Sequence, residues 1–188
     1  MPVTQYYTAA SLDGFIADSE NSLQWLFDVP GGEGPEADSG WQQFIDGVGA
    51  LAMGSTTWEW VVDHEDLAGH PERWTQAYGD RPCWVFSSRE RTVVPGLDVR
   101  FVRGDVAPVH AEMTRVAGER NIWVLGGGDL AGQFFDAGLL DELHVCLAPV
   151  TLGSGAPLLP RRIEGLRPTG TRRLGPMVML SYELPGSG

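Results

Sequence analysis

The feature of the sequence that most constrains the fold is a short apolar run directly followed by a turn, which occurs three times. The apolar runs are residues 50–53, 83–86 and 122–125. Apolar runs of this length that end in turn residues are typical of buried strands. Helical stretches between such strands favour a mostly parallel sheet that is covered by helices on both faces. The pattern therefore predicts a three-layer α/β sandwich.

The rest of the chain predicts a single domain over residues 1–188 whose sheet ends in antiparallel strands. Further strands are predicted at residues 4–10, 99–102 and 142–148, and a closing hairpin at residues 170–173 and 178–184. Helices are predicted at residues 41–48, 58–62, 106–118 and 130–137. We expect Asp38 and Ser39 to cap the first of these helices, and the hydroxyls of residues 55–57 to cap the second.

Composition excludes several classes of protein. Apolar residues make up 43% of the chain, yet the apolar runs are far shorter than the about 20 residues that a membrane-spanning helix needs. The N-terminus lacks the segments of a secretory signal peptide, so we expect a cytoplasmic protein. Cys83 and Cys146 are too far apart for a zinc-type pair, and the four histidines show no ligand spacing. No metal is predicted, and both cysteines are expected to be buried thiols.

The charge of the chain limits how it can bind an anion. The net charge of −12 argues against a nucleic-acid partner, because binding to a phosphate backbone depends on Lys and Arg side chains. The chain contains no lysine, which excludes a Walker-type phosphate lysine and a lysine general base. An anionic ligand must therefore be held by arginines, backbone N–H groups or helix N-termini.

The three turns are candidate phosphate-binding sites, because ligands of open parallel sheets bind at the carboxyl ends of the strands. We call them the hydroxyl turn, the Ser-Ser-Arg turn and the triple-glycine turn. The hydroxyl turn consists of Gly54, Ser55, Thr56 and Thr57. The Ser-Ser-Arg turn consists of Ser87, Ser88 and Arg89, and the triple-glycine turn consists of Gly126, Gly127 and Gly128. Glycine lets backbone N–H groups approach a phosphate, and Ser and Arg side chains suit a ribose 2′-phosphate. Each turn alone also fits a structural role, as a helix cap, a surface loop or a flexible turn.

Five blocks of sequence together resemble the dihydrofolate reductase superfamily. The similarity is closest to the stand-alone relatives of the reductase domain in the bifunctional deaminase-reductase of riboflavin biosynthesis. The blocks are residues 11–17, Met53-Gly54-x-x-Thr57-Trp58, the Ser-Ser-Arg turn, residues 124–128 followed by Leu130, and residues 143–158. They follow the order of the family over nearly the whole chain, and it is the ordered set that is specific.

The resemblance implies an NADPH-dependent reductase that transfers a hydride to a small heterocycle, either pterin-like or ribosylaminopyrimidine-like. It implies that Ala10 and Ile16 flank the nicotinamide and that the hydroxyl turn binds phosphates. The Ser-Ser-Arg turn would bind the 2′-phosphate, and the triple-glycine turn with Asp129 and Leu130 the pyrophosphate. Residues 11–17 would close over the reacting rings, and the protein is expected to be a homodimer.

Two positions depart from the family. Ser55 stands where family members commonly carry Arg, so an expected phosphate cation is replaced, although Arg89 or Arg91 can compensate. Asp129 follows the triple-glycine turn where some dihydrofolate reductases have a basic residue. An acidic residue caps a helix well but repels a nearby phosphate.

Hydride transfer to a C=N or C=O bond requires a proton donor near the substrate. Asp13, in the loop beside the expected nicotinamide site, and Asp38, at the start of a predicted helix, are the candidate catalytic residues. Asp13 also fits a simple Asp-Gly turn, and Asp38 a helix N-cap. Trp25, Trp41 and Phe44 fit either the wall of a substrate pocket that stacks on a flat ring or, more commonly for aromatic residues at helical spacing, the core. Trp58 and Trp60 are interpreted as part of a partly buried helix.

Two other functions are alternatives to a reductase. The first is a nucleotide-binding regulatory module of the same fold without turnover, which Ser55 and Asp129 favour. The second is a serine hydrolase, which lacks support because no Gly-x-Ser-x-Gly motif is present.

Overall fold

The computed structural model describes residues 2–30 and 39–186 of the chain. The helices in these residues are α1 (Gln24–Phe27), α2 (Ser39–Asp46), α3 (Ser55–His64), α4 (Glu72–Tyr78), α5 (Val106–Ala117) and α6 (Gly128–Asp136). The strands are β1 (Thr4–Ser11), β2 (Phe15–Ala17), β3 (Val48–Gly54), β4 (Cys83–Phe86), β5 (Val99–Val102), β6 (Asn121–Gly126), β7 (Glu142–Ala148), β8 (Ala156–Pro157), β9 (Arg167–Leu174) and β10 (Met177–Glu183).

Eight of these strands form one sheet in the order β5-β4-β3-β6-β1-β7-β10-β9. Neighbouring strands from β5 to β7 are parallel. Strand β10 is antiparallel to both β7 and β9. The short strands β2 and β8 pair with each other in a second sheet. The predicted fold class, a mostly parallel sheet with antiparallel C-terminal strands, is confirmed.

The main sheet packs against helices on both faces. Successive side chains of a strand point in opposite directions, so each strand contributes to both packed faces. In β1, Tyr7 belongs to a core cluster that includes Trp58 of α3, whereas Tyr6 belongs to a second cluster that includes Phe134 of α6. Six of the seven residues of β3 are buried, as expected for a strand inside a parallel sheet. The two clusters form the interfaces between three layers.

Several helix starts differ from the prediction. Helix α3 begins at Ser55, and its N-cap is Gly54, so the capping role predicted for the hydroxyls of residues 55–57 is wrong. The extended backbone of Gly54 (φ −79°, ψ 163°) leads the chain from β3 straight into the helix. The cap predicted at Asp38 lies outside the described residues. Helices α1 and α4 and strands β2 and β8 had no counterpart in the prediction.

Both cysteines are buried free thiols, as predicted. Burial raises the pKa of Cys146 to about 11, and it raises the pKa of Cys83 further. Neither thiol is therefore ionised near neutral pH. Among the helices described, none combines the length and apolar character that crossing a bilayer requires.

Candidate functional site

Strands β3 and β6 end side by side at one edge of the sheet, where helices α3 and α6 begin. Met53 is paired with Gly126 at this edge. The N-caps of the two helices are Gly54 and Gly127, both with extended backbone and without a capping side-chain hydrogen bond. A Cβ atom on Gly54 would lie 3.5 Å from the amide nitrogen of Gly127. The two helix N-termini are therefore adjacent.

A cleft of about 430 Å³ opens in front of these helix N-termini. The residues that line it are Thr8, Ile16, Ala17, Asn21, Leu23, Gly54, Ser55, Thr56, Thr57, Trp60, Phe86, Leu125, Gly126, Gly127, Gly128, Asp129, Leu130, Gln133, Ala156, Pro157 and Pro160. The cleft thus brings together the hydroxyl turn, the triple-glycine turn, Asp129, Leu130 and Ile16. Free helix N–H groups and the positive end of the helix dipole make such a place suitable for an anion.

The three residues of the triple-glycine turn face different surroundings. Gly126 has a φ of +147°, which favours glycine, and its peptide bond to Gly127 is cis. A Cβ on Gly127 would contact only the Ile16 side chain, at 3.9 Å, so this residue faces open space in the cleft. A Cβ on Gly128 would overlap the backbone carbonyl groups of Pro157 and Leu158. Gly128 therefore permits close packing, whereas Gly127 leaves room for a ligand.

One wall of the cleft is formed by the small sheet of β2 and β8. Phe15 pairs with Pro157, and the amide of Leu158 donates a hydrogen bond to the carbonyl of Gly14 at 2.9 Å. The Ile16 side chain of this wall lies opposite Gly127. The segment that follows β1 is thus joined to the loop that follows β7.

Asp13 lies outside the lining of the cleft, in the turn between β1 and β2. Its carboxylate accepts hydrogen bonds from the Ser11 hydroxyl at 2.6 Å and from the amides of Leu152 and Gly153 at 3.1 and 2.7 Å. The hydrogen bond from Ser11, followed by those from the two amides, lowers the pKa of Asp13. These contacts join the turn after β1 to the loop after β7, which is a positioning role.

Asp129 is exposed at the rim of the cleft, in the first turn of α6. Its carboxylate accepts a hydrogen bond from the Gln133 side chain at 2.9 Å and forms an ion pair with Arg161 at 3.2 Å. The same Arg161 binds Asp136 at 2.7 Å, and these partners raise its pKa. The negative charge of Asp129, which is expected to repel a phosphate, is thus only partly neutralised by Arg161.

The Ser-Ser-Arg turn borders a second, basic pocket of about 390 Å³ at the ends of β4 and β5. Its lining includes three arginines, Arg89, Arg91 and Arg103, and one acidic residue, Glu90. The Ser87 hydroxyl accepts a hydrogen bond from Arg91 at 3.1 Å, and Arg91 also pairs with Glu59. Within the described part of the chain, the side chains of Arg89 and Arg103 have no hydrogen-bond or ion-pair partner. Ser88 is exposed and lines neither the basic pocket nor the cleft.

The basic pocket adjoins the cleft. Phe86, which lines the cleft, directly precedes the Ser-Ser-Arg turn. Sequence reasoning missed Arg103, although this residue follows β5 much as Arg89 follows β4. Two arginines whose side chains have no partner among the described residues thus line a pocket next to the cleft.

A family model described as the RibD C-terminal domain matches residues 2–180. The chain belongs to the RibD C-terminal domain family. This RibD C-terminal domain protein is 31% identical over 181 residues to the uncharacterized protein YwjB of Bacillus subtilis strain 168, covering 95% of this chain and 96% of YwjB. A crystal structure of a candidate riboflavin biosynthesis protein from Shewanella sp. PV-4 superposes with a TM-score of 0.76 at 25% identity, covering 97% of this chain and 98% of that chain.

The fold is shared with larger proteins as well. A Thermotoga maritima protein, described as a diaminohydroxyphosphoribosylaminopyrimidine deaminase/5-amino-6-(5-phosphoribosylamino)uracil reductase, superposes with a TM-score of 0.64 at 14% identity. The superposition covers 97% of this chain and 56% of that protein. The dihydrofolate reductase-like fold that the sequence resemblance implied is confirmed, and family membership relates the chain to reductases of riboflavin biosynthesis.

Some candidate residues of this RibD C-terminal domain protein lie outside the cleft. Ala10 is fully buried in the second core cluster, and Asp38 lies outside the described residues. Trp25, Trp41 and Phe44 pack against the first core cluster. Conversely, sequence reasoning missed several lining residues, namely Thr8, Asn21, Leu23, Trp60 and Gln133.

Proposed function

We propose that this chain is an NADPH-dependent reductase that transfers a hydride to a small heterocyclic substrate, either pterin-like or ribosylaminopyrimidine-like. The observation that carries the proposal is the meeting of two helix N-termini at one cleft, with open space in front of Gly127. In a chain without lysine, helix N-termini and arginines are the groups left to hold a dinucleotide.

The residues present fit NADPH. The amides at the starts of α3 and α6, with the hydroxyls of Ser55, Thr56 and Thr57, would hold its pyrophosphate. The guanidinium groups of Arg89 and Arg103, which have no partner in the described part of the chain, would hold its 2′-phosphate. They would thereby compensate for the serine that replaces an arginine at position 55. This arrangement supports a preference for NADPH over NADH.

When bound, NADPH supplies the hydride that, together with one proton, adds across a C=N or C=O bond of the substrate and leaves NADP⁺. The wall formed by β2 and β8, with Ile16 facing Gly127, would orient the reacting rings and exclude water. The catalytic roles of Asp13 and Asp38 stay predictions. The contacts and lowered pKa of Asp13 support positioning, because its carboxylate has no proton to donate near neutral pH.

Gly127→Asp tests the nucleotide assignment. The backbone of Gly127 (φ −81°) accepts any residue, and the new carboxylate would enter the cleft and repel a phosphate. We expect NADPH binding, measured by calorimetry, to weaken by at least about 100-fold, since like charges in a binding site cost several kcal/mol. The matched control is Gly170→Asp on β9, where a Cβ would contact Ser181 at 3.8 Å, far from the cleft in sequence and fold. Equal binding by both variants would refute the assignment.

A nucleotide-binding module without turnover is the alternative, and the Asp129 carboxylate at the cleft rim favours it. NADPH oxidation with a panel of dihydropterins and ribosylated pyrimidines separates the two functions. Tight NADPH binding without oxidation would support the module. The homodimer stays a prediction, and sedimentation tests it.

A further inference from the structure

The side chains that line the cleft carry a negative charge. Among the described residues that line it, the ionisable side chain is that of Asp129. Its partner Arg161 also binds Asp136, so one guanidinium is shared by two carboxylates and the three groups retain one negative charge. A phosphate placed in the cleft beyond the helix N-termini would therefore be repelled.

No basic side chain among the described residues lines the cleft. Residues 31–38, outside the described part, contain Glu33, Glu36 and Asp38 and no basic residue, so that segment has no cation to contribute. The chain has no lysine. On the proposed function, Arg89 and Arg103 of the basic pocket serve the 2′-phosphate of the cofactor.

The remaining lining of the cleft offers uncharged groups. These are the hydroxyl of Thr8, the amide of Asn21 and the apolar side chains of Leu23 and Trp60. The Trp60 ring is stacked on His64, with ring centroids 4.3 Å apart and planes 15° apart, which fixes its orientation. A fixed indole with a few hydroxyl and amide groups suits a flat ring with hydrogen-bonding edges.

We infer that the substrate of this chain is a planar heterocycle without a phosphate group. The inference rests on the proposed function, because it assigns both helix N-termini to the cofactor. In the reaction, hydride from NADPH and one proton add to a C=N or C=O bond, and NADP⁺ is released. The substrate class thus differs from the phosphoribosylaminopyrimidine named for the Thermotoga maritima relative, whose phosphate would meet both Asp129 and the bound cofactor.

The test is a calorimetric titration of the protein saturated with NADP⁺, which prevents turnover. The probes are 5-amino-6-(5-phosphoribosylamino)uracil, its dephosphorylated form and dihydropterin. We expect at least one phosphate-free ring to bind at least about tenfold more tightly than the phosphorylated pyrimidine. Only the phosphorylated probe brings a second negative charge towards Asp129. Equal or tighter binding of the phosphorylated probe overturns the inference, and so does failure of both phosphate-free rings to bind.

A matched pair of variants tests the electrostatic cause. Asp129→Asn and Asp136→Asn each remove one carboxylate partner of Arg161. Asp136 lies seven residues further along α6, about 10 Å away, and does not line the cleft. We expect Asp129→Asn to reduce the discrimination against the phosphorylated probe several-fold and Asp136→Asn to change it less than twofold. Equal effects of the two variants would overturn the assigned cause.

The same series separates this inference from the proposed function. NADP⁺ and NADPH binding is measured first, without any substrate probe. Failure of both nucleotides to bind refutes the proposed function itself. Nucleotide binding combined with a preference for the phosphorylated probe refutes only the substrate class.

Discussion

At the scale of single residues, Asp13 joins two loops rather than facing the cleft. Asp13→Asn keeps the shape of the side chain but removes the charge, and an amide oxygen accepts weaker hydrogen bonds than a carboxylate. We expect the amides of Leu152 and Gly153 to exchange with solvent several-fold faster and KM for NADPH to rise several-fold. The pH profile of kcat above neutral pH should not change. Hydrogen exchange and steady-state kinetics measure these effects, and abolished kcat would instead identify a proton donor.

Asp18→Asn is the matched control for this change. Asp18 also accepts two backbone hydrogen bonds, from Glu20 at 2.9 Å and Ser22 at 2.8 Å, but within its own turn. Exchange at Leu152 and Gly153 should stay at the wild-type rate in this variant.

The lowered pKa of Asp13 gives the wild-type protein a defined pH dependence. The stabilisation from its hydrogen bonds is complete above the ordinary carboxyl pKa and is lost as the pH falls through the lowered pKa. Protection of the two amides from exchange should therefore decrease only in that acid range.

Single residues also show what local sequence could not predict. Trp60 was interpreted as helix packing, and nothing in its neighbours distinguishes a ring that lines a cleft from one in a core. Asn21 enters the lining through a turn held by Asp18, whose geometry depends on side-chain hydrogen bonds. By contrast, Gly54 and Gly127 were predictable because Gly54 ends an apolar strand and Gly127 directly follows one.

At the scale of elements, the start of α6 separates a packing glycine from a ligand-facing glycine. Gly128→Ala places a methyl group against the carbonyl groups of Pro157 and Leu158, which are backbone and cannot rotate away. We expect this overpacking to lower the free energy of unfolding by roughly 1–3 kcal/mol. The methyl group of Gly127→Ala contacts only the Ile16 side chain. This variant should change the free energy of unfolding by less than about 0.5 kcal/mol. Urea denaturation compares the two variants, and equal losses would contradict the assignment.

The elements that sequence predicted are those with strong local patterns. Strand β5 begins and ends where predicted, and α5 differs by one residue at its C-terminus. Strands β2 and β8 contain three and two residues, and they exist only because segments about 140 residues apart in sequence pair with each other. No local pattern specifies such a pairing, so the wall of the cleft was not predictable.

At the scale of the whole molecule, the site lies where the parallel strands end and the chain reverses from strand to helix. Sequence could predict this edge because the direction of parallel strands brings all three turns to the same side of the sheet. It could not predict that the turns divide into a cleft and a separate basic pocket. That division depends on the β5-β4-β3-β6 strand order, which places the Ser-Ser-Arg turn beside the hydroxyl turn.

A ligand that joins these turns should stabilise the entire domain. On the proposed function, NADPH at about 100 times its dissociation constant stabilises the folded state by about 2.7 kcal/mol. For a domain of this size, that corresponds to a rise in Tm of about 5–10 °C. NADH lacks the 2′-phosphate and should bind roughly 10- to 100-fold more weakly, since hydrogen bonds to charged groups contribute about 1.5–3 kcal/mol. At the same concentration it should therefore raise Tm by at most about half as much.

The basic pocket is the expected cause of this difference between the two nucleotides. The double change Arg89→Ala and Arg103→Ala removes the two guanidinium groups that have no protein partner in the described chain, so no ion pair is broken. The Tm shift with NADPH should fall to that with NADH, and the Tm of the free protein should stay the same. Arg162→Ala, which removes an exposed arginine paired with Glu164, is the control and should preserve the difference. Removing cations that bind the 2′-phosphate must weaken the binding of NADPH but cannot affect NADH, which lacks this phosphate. If the double variant also kept the difference in Tm shift between NADPH and NADH, the 2′-phosphate would therefore be bound elsewhere.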